Sequence, residues 1–378
     1  MFNMSFSDEQ LDLQKLMKEF TQKKVMPVTK ELDEKAEFPW ELYNEVFEMG
    51  LHAMNAPEEF GGPELDLVTC ALLIEELSKG DAGFAVSVGA NALASGPVLI
   101  GGNQEQKKLF YDIVNQGKPA AFCLTEPNAG SDAGAIATTA KREGDEYVIN
   151  GTKCFITCGA VAGIYTVIAS TNRSKGVKGL SAFLVERDRP GVSVGKEEDK
   201  MGIRSSNTTD VVFQDVRIPA SHLIGQEGEG FKLAMQTLDK SRPLVGAQAV
   251  GLAQAALDIA VKYAQERIQF GKPIASNQAI QFMLADMQIK IETARNMVYK
   301  ACYLYDAGKP FTKESAIAKT FATDMAMQVA VDAVQILGGY GYSKEYPVEK
   351  LMRDAKVMQI FEGTNQVQRI VIANQLLR

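Results

Sequence analysis

The spacing of apolar residues changes period twice along this chain, and that change limits the architectures open to it. Leu13, Leu16, Met17 and Phe20 recur at helical spacing. Further helical runs cover residues 41–49, 67–77 and 104–114, separated by punctuation such as Gly61-Gly62-Pro63. Ser7 and Gln10 form a capping-box pattern ahead of the first run, with Phe6 and Leu11 placed as a hydrophobic staple. From about residue 118 the chain shifts to short runs rich in β-branched and aromatic residues: 147–152, 163–170, 180–185 and 210–213. These predict a small β-sandwich or barrel. From Gly230 helix returns in four apolar-periodic segments, 230–268, 277–306, 313–337 and 347–375. Segments of that length pack as a four-helix bundle, and Pro243 should break or kink the first. The expected fold class is α+β in three domains: N-terminal helices (1–116), a middle β-domain (117–226) and a C-terminal helical bundle (227–378).

Composition removes several function classes. The net charge is −7, and the longest basic runs are pairs: Lys23-Lys24, Lys107-Lys108 and Lys141-Arg142. Binding a phosphate backbone needs clustered cations, so no nucleic acid partner is expected. No stretch reads as the roughly 18–20 continuous apolar residues of a membrane helix, and no basic n-region precedes an apolar h-region. Five scattered cysteines form no disulfide framework. Together these predict a soluble, cytoplasmic protein without membrane insertion. Phosphate-loop and dinucleotide glycine motifs are absent from the sequence. Gly225-Gln-Glu-Gly-Glu-Gly230 is glycine-rich but acidic and reads as a loop entering a helix. The two histidines, His52 and His222, lie far apart. Cys154-x-x-x-Cys158 supplies two thiols where a zinc site needs four ligands. A nicotinamide enzyme, a serine hydrolase and a zinc enzyme are therefore disfavoured.

Two segments are more specific. One is Cys123-Leu-Thr-Glu-Pro-Asn-Ala-Gly-Ser-Asp-Ala-Gly-Ala135. The other is Gln335-Ile-Leu-Gly-Gly-Tyr-Gly-Tyr342, followed by Met352-Arg-Asp-Ala-Lys356 and Ile360-Phe-Glu-Gly-Thr-Asn-Gln-Val-Gln368. Both resemble signature segments of the acyl-CoA dehydrogenase family, and the resemblance runs over nearly the whole chain. It implies the family's fold and an FAD cofactor. In the first segment and the strand after it, Phe122, Thr125, Ser131, Phe155 and Thr157 match flavin-contacting positions. Phe155 stands where the family usually has Trp; it can still shield the ring but loses an indole donor. Arg267, Phe270, Gln335 and Gly339 match positions that reach a neighbouring subunit's FAD, which implies a homotetramer. Thr364 and Gln366 match further FAD contacts. Leu238-Asp-Lys-Ser-Arg-Pro243 resembles a CoA-binding turn, giving Asp239, Ser241 and Arg242 as CoA contacts; Ser131 and Gly363 are further substrate contacts.

The same resemblance makes Glu362 the catalytic base. The α-hydrogens of an acyl thioester are weakly acidic, and the β-hydrogen must leave as hydride. The reaction needs a carboxylate on one side, an electron sink on the other, and donors at the thioester oxygen. In the family the sink is flavin N5, and the base's own backbone N–H is one donor. Some subfamilies place the base at the position of Ser241, which cannot serve here. A helix over 84–97 should line the acyl pocket, and its small residues Ala85, Gly89, Ala90 and Gly96 suggest room for medium, branched or ring-bearing acyl groups. The family implies a role in fatty acid metabolism, with electrons passing to an electron-transfer flavoprotein. Two alternatives stay open: the same chemistry run in reverse as an enoyl-CoA reductase, including one for aryl-acrylyl-CoA, and a non-enzymatic binding protein that keeps the fold.

Overall fold

The computed structural model describes residues 5–377. The first helix, α1 (Asp8–Phe20), starts at a reciprocal capping box: the Ser7 hydroxyl accepts from the Gln10 N–H at 3.2 Å, and the Gln10 side chain accepts from the Ser7 N–H at 3.0 Å. The expected staple does not form. Leu11 is 45% exposed, and Phe6 packs edge-on against Tyr299 instead, with ring centroids 5.3 Å apart. The face of α1 that turns inward carries Met17 and Phe20, so Leu11 has no apolar surface to meet. The helices α2 (Thr29–Lys35), α3 (Trp40–Glu48), α4 (Leu67–Gly80), α5 (Ala82–Gly101) and α6 (Gln104–Val114) complete this block. Asp66 and Asp81 cap α4 and α5, accepting from the N–H groups of Thr69 (2.7 Å) and Phe84 (2.8 Å).

The β-region consists of β1 (Ala120–Cys123), β2 (Thr139–Glu143), β3 (Glu146–Thr157), β4 (Ile164–Ser170), β5 (Leu180–Glu186), β6 (Val192–Glu197), β7 (Thr208–Pro219) and β8 (Leu223–Ile224). The strand order is β6-β7-β3-β2-β4-β5-β8, with β1 beside β4. β2 and β4 meet only at Thr139 and Ser170, so two half-sheets share a single junction. Between them lies an apolar core that includes Tyr147, Ile149, Tyr165, Phe183, Phe213 and Ile218.

Beyond the sheet come α7 (Gly230–Glu266), a small hairpin of β9 (Ile268–Gln269) and β10 (Lys272–Pro273), then α8 (Gln278–Asp306), α9 (Thr312–Leu337), α10 (Gly339–Tyr342), α11 (Val348–Met358) and α12 (Asn365–Leu376). α7 packs against α4, α5, α8 and α9. One apolar cluster therefore joins Leu72, Leu73 and Leu77 of the first block to Val250, Ala253 and Ala256 of the last.

Three sequence expectations need correction here. Of the break or kink expected at Pro243, the break does not occur: α7 runs through it. Proline removes the amide that would bond to the carbonyl four residues back, and the Ser315 hydroxyl of α9 donates to that Asp239 carbonyl at 2.6 Å. The segment 347–375 is not one helix, because Glu362 and Gly363 adopt φ of +54° and +89° between α11 and α12. Consecutive left-handed residues cannot continue a right-handed helix. A third correction concerns apolar runs: α5 and α7 are long and apolar enough to cross a membrane, but most of that surface is buried inside the fold. Isolated polar residues such as Asn91 and Gln248 disguise these runs in the sequence. All five cysteines are buried free thiols.

Replacing Ser315 with Ala removes the donor to a buried carbonyl and is predicted to cost about 1–3 kcal/mol. Guanidinium unfolding should show a lower midpoint with unchanged slope; an unchanged midpoint would contradict this account of the proline.

Candidate active site

A cleft of 670 Å³ has walls from α5, α7, β1, β3, the loop after β1 and the turn between α11 and α12. Its loop wall is held from beneath. Lys153, with no exposed surface, donates to the Leu124 carbonyl at 3.0 Å and to Glu126 Oε1 at 2.8 Å. Glu126 also accepts from the N–H groups of Ala137 (2.7 Å) and Thr138 (3.0 Å). Burial pushes the Glu126 carboxyl up, but Lys153 and these donors outweigh it and leave the pKa below the ordinary value. The Cys154 N–H closes the link to the loop, donating to the Thr125 carbonyl at 2.9 Å.

Phe155 reaches the cleft through a β-bulge. The pairing of β3 with β7 slips between Lys153 and Ile156, and Phe155 has φ of +56°. The bulge re-aims one side chain: Cys154 and Ile156 are buried, while the Phe155 ring is 65% exposed on the cleft wall. Phe122, Thr125, Ser131 and Thr157 share this wall. Among the described residues, the hydroxyls of Thr125, Ser131 and Thr157 have no partner within the chain. An open aromatic ring flanked by unpaired hydroxyls suits a flat heteroaromatic group with polar edges, so the residues present fit the isoalloxazine of FAD.

Glu362 lines the same cleft. Its left-handed backbone turns the carboxylate away from the helix pair, and the Ser241 hydroxyl of α7 donates to Oε2. The group is deep in the protein yet keeps accessible surface, because what it faces is the cleft. Burial raises its pKa above the usual carboxylate range; Ser241, Arg242 and Lys319 pull the other way without cancelling it. The Glu362 backbone N–H donates to no acceptor among the described residues.

The proposed CoA turn divides. Ser241 meets the Glu362 carboxylate as above. Arg242 is 4% exposed, with Nη1 on Asp239 at 2.5 Å and Nε on the Glu362 carbonyl at 3.4 Å. Asp239 also accepts from the Thr312 hydroxyl at 2.8 Å and is absent from the cleft lining. Both side chains have protein partners, and Arg242 also lines the cleft. Lys240 of the same turn lines the cleft, its ammonium 5.0 Å from the Tyr305 ring centroid.

The acyl-pocket reading also divides. Ala85 is fully buried in the core and lines no part of the cleft, whereas Gly89, Ala90 and Gly96 do. Gly96 is small because Thr237 packs directly against it. Gly89 leaves space, but a Cβ there would meet the Gln248 amide at 3.8 Å and Ile74 at 3.9 Å. Gln248 is 6% exposed, and its side-chain oxygen is unpaired. Sequence reading missed it; a polar residue one heptad after Ser241 on the same helix was the available signal.

The remaining predicted residues lie elsewhere. Arg267 and Gly339 line a separate 600 Å³ cavity, where the Arg267 guanidinium sits 5.4 Å from the Tyr340 ring centroid. Phe270, at the hairpin turn with φ of +51°, is fully exposed, and Gln335 is exposed near the end of α9. The Thr364 hydroxyl caps α12, accepting from the Val367 N–H at 3.2 Å, and Gln366 is exposed. None of these six lines the first cleft.

Comparison with known proteins gives a consistent picture. Family models described as the acyl-CoA dehydrogenase N-terminal, middle and C-terminal domains match residues 7–118, 121–216 and 228–377. The solved structure of butyryl-CoA dehydrogenase from Megasphaera elsdenii is 48% identical, covers both chains completely and superposes with a TM-score of 0.97. A chain solved in work on the electron transferring flavoprotein of Acidaminococcus fermentans and flavin-based electron bifurcation is 47% identical, with full coverage of both chains and a TM-score of 0.97. Acryloyl-CoA reductase (NADH) of Anaerotignum propionicum is 46% identical over 100% of this chain and 96% of its own length.

Lys153→Met strands the Glu126 carboxylate in the interior without a cation. The expected loss is about 3–5 kcal/mol, measured by denaturant unfolding, with faster loss of FAD on dilution. A variant as stable and as flavin-retentive as the parent would show that the pair does not support the loop.

Proposed function

The chain belongs to the acyl-CoA dehydrogenase family, and on that footing we propose that it interconverts a short acyl-CoA thioester and its trans-2-enoyl-CoA, with Glu362 moving the α-proton. The observation that carries the reading is the raised-pKa carboxylate of Glu362 on the same cleft as the Phe155 ring and the unpaired hydroxyls of Thr125, Ser131 and Thr157. Phe122 joins those four residues in holding FAD. FAD, when bound, supplies the acceptor for the hydride equivalent that leaves Cβ.

The chain's own residues do the rest. Glu362 takes the α-proton, and its desolvation makes it a stronger base once ionised than a solvated carboxylate. Its backbone N–H, without an acceptor in the chain, donates to the thioester oxygen as charge develops there. Ser241 holds the carboxylate's orientation. Gly363 brings the backbone close to the thioester, and Gly89 and Ala90 admit the acyl chain. A Cβ at Gly89 would already touch Gln248 and Ile74, and the butyryl-CoA dehydrogenase relative supports an acyl group of about butyryl size over the medium, branched or ring-bearing groups suggested by the small residues alone.

A second copy completes the cofactor site. Arg267, Phe270, Gln335 and Gly339 lie apart from the first cleft, and a fully exposed Phe270 is suited to burial against a neighbour. These residues, with Thr364 and Gln366, act on FAD at the contact between copies of a homotetramer. Electrons are exchanged with an electron-transfer flavoprotein, in the cytoplasm. The acryloyl-CoA reductase relative favours a second physiological direction, enoyl-CoA reduction, through the same proton transfer. An anaerobic titration of the reduced protein with crotonyl-CoA reads that direction.

Glu362→Gln should retain FAD while bleaching of the flavin by butyryl-CoA falls by at least about a thousandfold; rapid bleaching in this variant would refute the base. The pH profile offers a separate check. Activity requires the carboxylate, so kcat/KM should rise with pH through a pKa above the ordinary 4.5. Ser241→Ala deletes a donor that favours the charged form and should move that limb to higher pH. A limb at 4.5, or one displaced downward in the variant, would contradict the electrostatics.

A further inference from the structure

The turn that carries Glu362 is gripped by two buried donors from different helices. Lys319 of α9 has no exposed surface, and its ammonium donates to the Gly363 carbonyl and to Asn365 Oδ1, both at 2.9 Å. Gln368 of α12 is equally buried, and its Nε2 donates to the carbonyls of Glu362 at 3.2 Å and Gly363 at 3.0 Å. Asn365 ties the turn back to α9 through the Thr323 hydroxyl at 2.9 Å and Asp324 at 2.7 Å. We propose that Lys319 and Gln368 form a clamp on the Glu362–Gly363 backbone that makes both of them positioning residues for the base, with the Lys319 charge also favouring the ionised carboxylate. This inference rests on the reading of Glu362 as the base.

Three observations carry it. First, the backbone being held is one that side chains resist: Glu362 has φ of +54° without being glycine, and such a conformation persists where its surroundings over-determine it. Second, Gly363 is needed for the clamp itself, since a Cβ there would sit 2.6 Å from Gln368 Nε2. Third, Lys319 is costly for a loop tie. Among the described residues it forms no ion pair within 4 Å, and its contacts are neutral oxygens. Burying an ammonium against neutral acceptors is unfavourable, and burial lowers its pKa to about 8. A neutral amide such as Gln368 satisfies the same carbonyl without that penalty. The difference is the charge, which acts on Glu362.

The charged groups facing Lys319 come from every element around it. Glu362 favours the ammonium from the turn, and Arg242 of α7 opposes it. Arg242 is itself paired with Asp239. Asp324 of α9 favours the ammonium but is shared with Arg369 of α12 at 3.0 Å. Glu362 and Lys319 thus stabilise each other's charged forms across the turn, while Gln368 supplies geometry alone.

The two roles separate experimentally in the FAD-loaded assembly with butyryl-CoA as substrate. Lys319→Met and Gln368→Leu should each lower kcat by on the order of 10- to 100-fold through misplacement of the base, with KM little changed. Only Lys319→Met should move the acid limb of kcat/KM to higher pH. A readout independent of turnover is the infrared band of the protonated Glu362 carboxyl, assigned by its loss in Glu362→Gln. It should titrate at higher pH in Lys319→Met and at the parent pH in Gln368→Leu. If Lys319→Met does not fold, Gln368→Leu still tests the grip, and Lys319→Gln, which removes the charge but keeps an amide donor, tests the titration by the same upward move of the carboxyl band. Folded variants with kcat within about twofold of the parent, or an unmoved carboxyl band in Lys319→Met, would overturn the clamp. A fully active Glu362→Gln would instead overturn the base on which it rests.

Discussion

The desolvated carboxylate of Glu362 is the constraint around which the rest of this structure is arranged. A carboxylate removed from water is unstable as an anion unless donors replace the lost hydration. Here the replacement is partial. Ser241 donates directly, Arg242 and Lys319 act through charge, and the pKa still ends above its ordinary value. Full pairing would give a stable but weak base; no pairing would give a neutral acid. The intermediate state suits a group that must take a proton from carbon and return it.

Placing that group requires a helix to stop. The break between α11 and α12 coincides with the two left-handed residues at 362 and 363. The opposite wall comes from a comparable local departure, the β-bulge that turns Phe155 out of β3. α7 passes between the two regions and packs on both helical blocks, and it carries Ser241 to Glu362 and Gln248 to the cleft wall. It can do so as one continuous helix because Ser315 satisfies the carbonyl that Pro243 leaves unpaired. The site is thus assembled at irregularities, and two of them, Pro243 and the Glu362–Gly363 turn, are held by buried side chains from other elements.

This explains what could be read from the sequence. The alternation of helical, strand and helical periods is a local property, and it yields the three-part layout. The proposed base is legible because Phe361-Glu-Gly-Thr364 belongs to a segment resembling a known family, not because any spacing marks a buried carboxylate. Periodicity failed where a tertiary partner decides the outcome. Pro243 reads as a break or kink because Ser315 is far away in sequence, and 347–375 reads as one helix because its apolar spacing continues across the turn. Phe6 finds Tyr299 instead of Leu11 for the same reason. The sequence gives no sign that Arg242 and Asp239 pair with each other. Lys319 and Gln368 were invisible, since a lysine or glutamine on a helix gives no sign that it will be buried against a carbonyl.

Proton transfer at Glu362 is measured most directly when it is isolated from electron transfer. Butyryl-CoA held with the FAD-loaded protein in D2O under anaerobic conditions should gain deuterium at the α-carbon, at a rate that rises with pH through the raised carboxylate pKa. Mass spectrometry of the recovered thioester reads this whichever direction the cell uses. α-Deuteration that disappears with glutamine at position 362 is the result predicted. Undiminished α-deuteration with glutamine at that position would contradict the account.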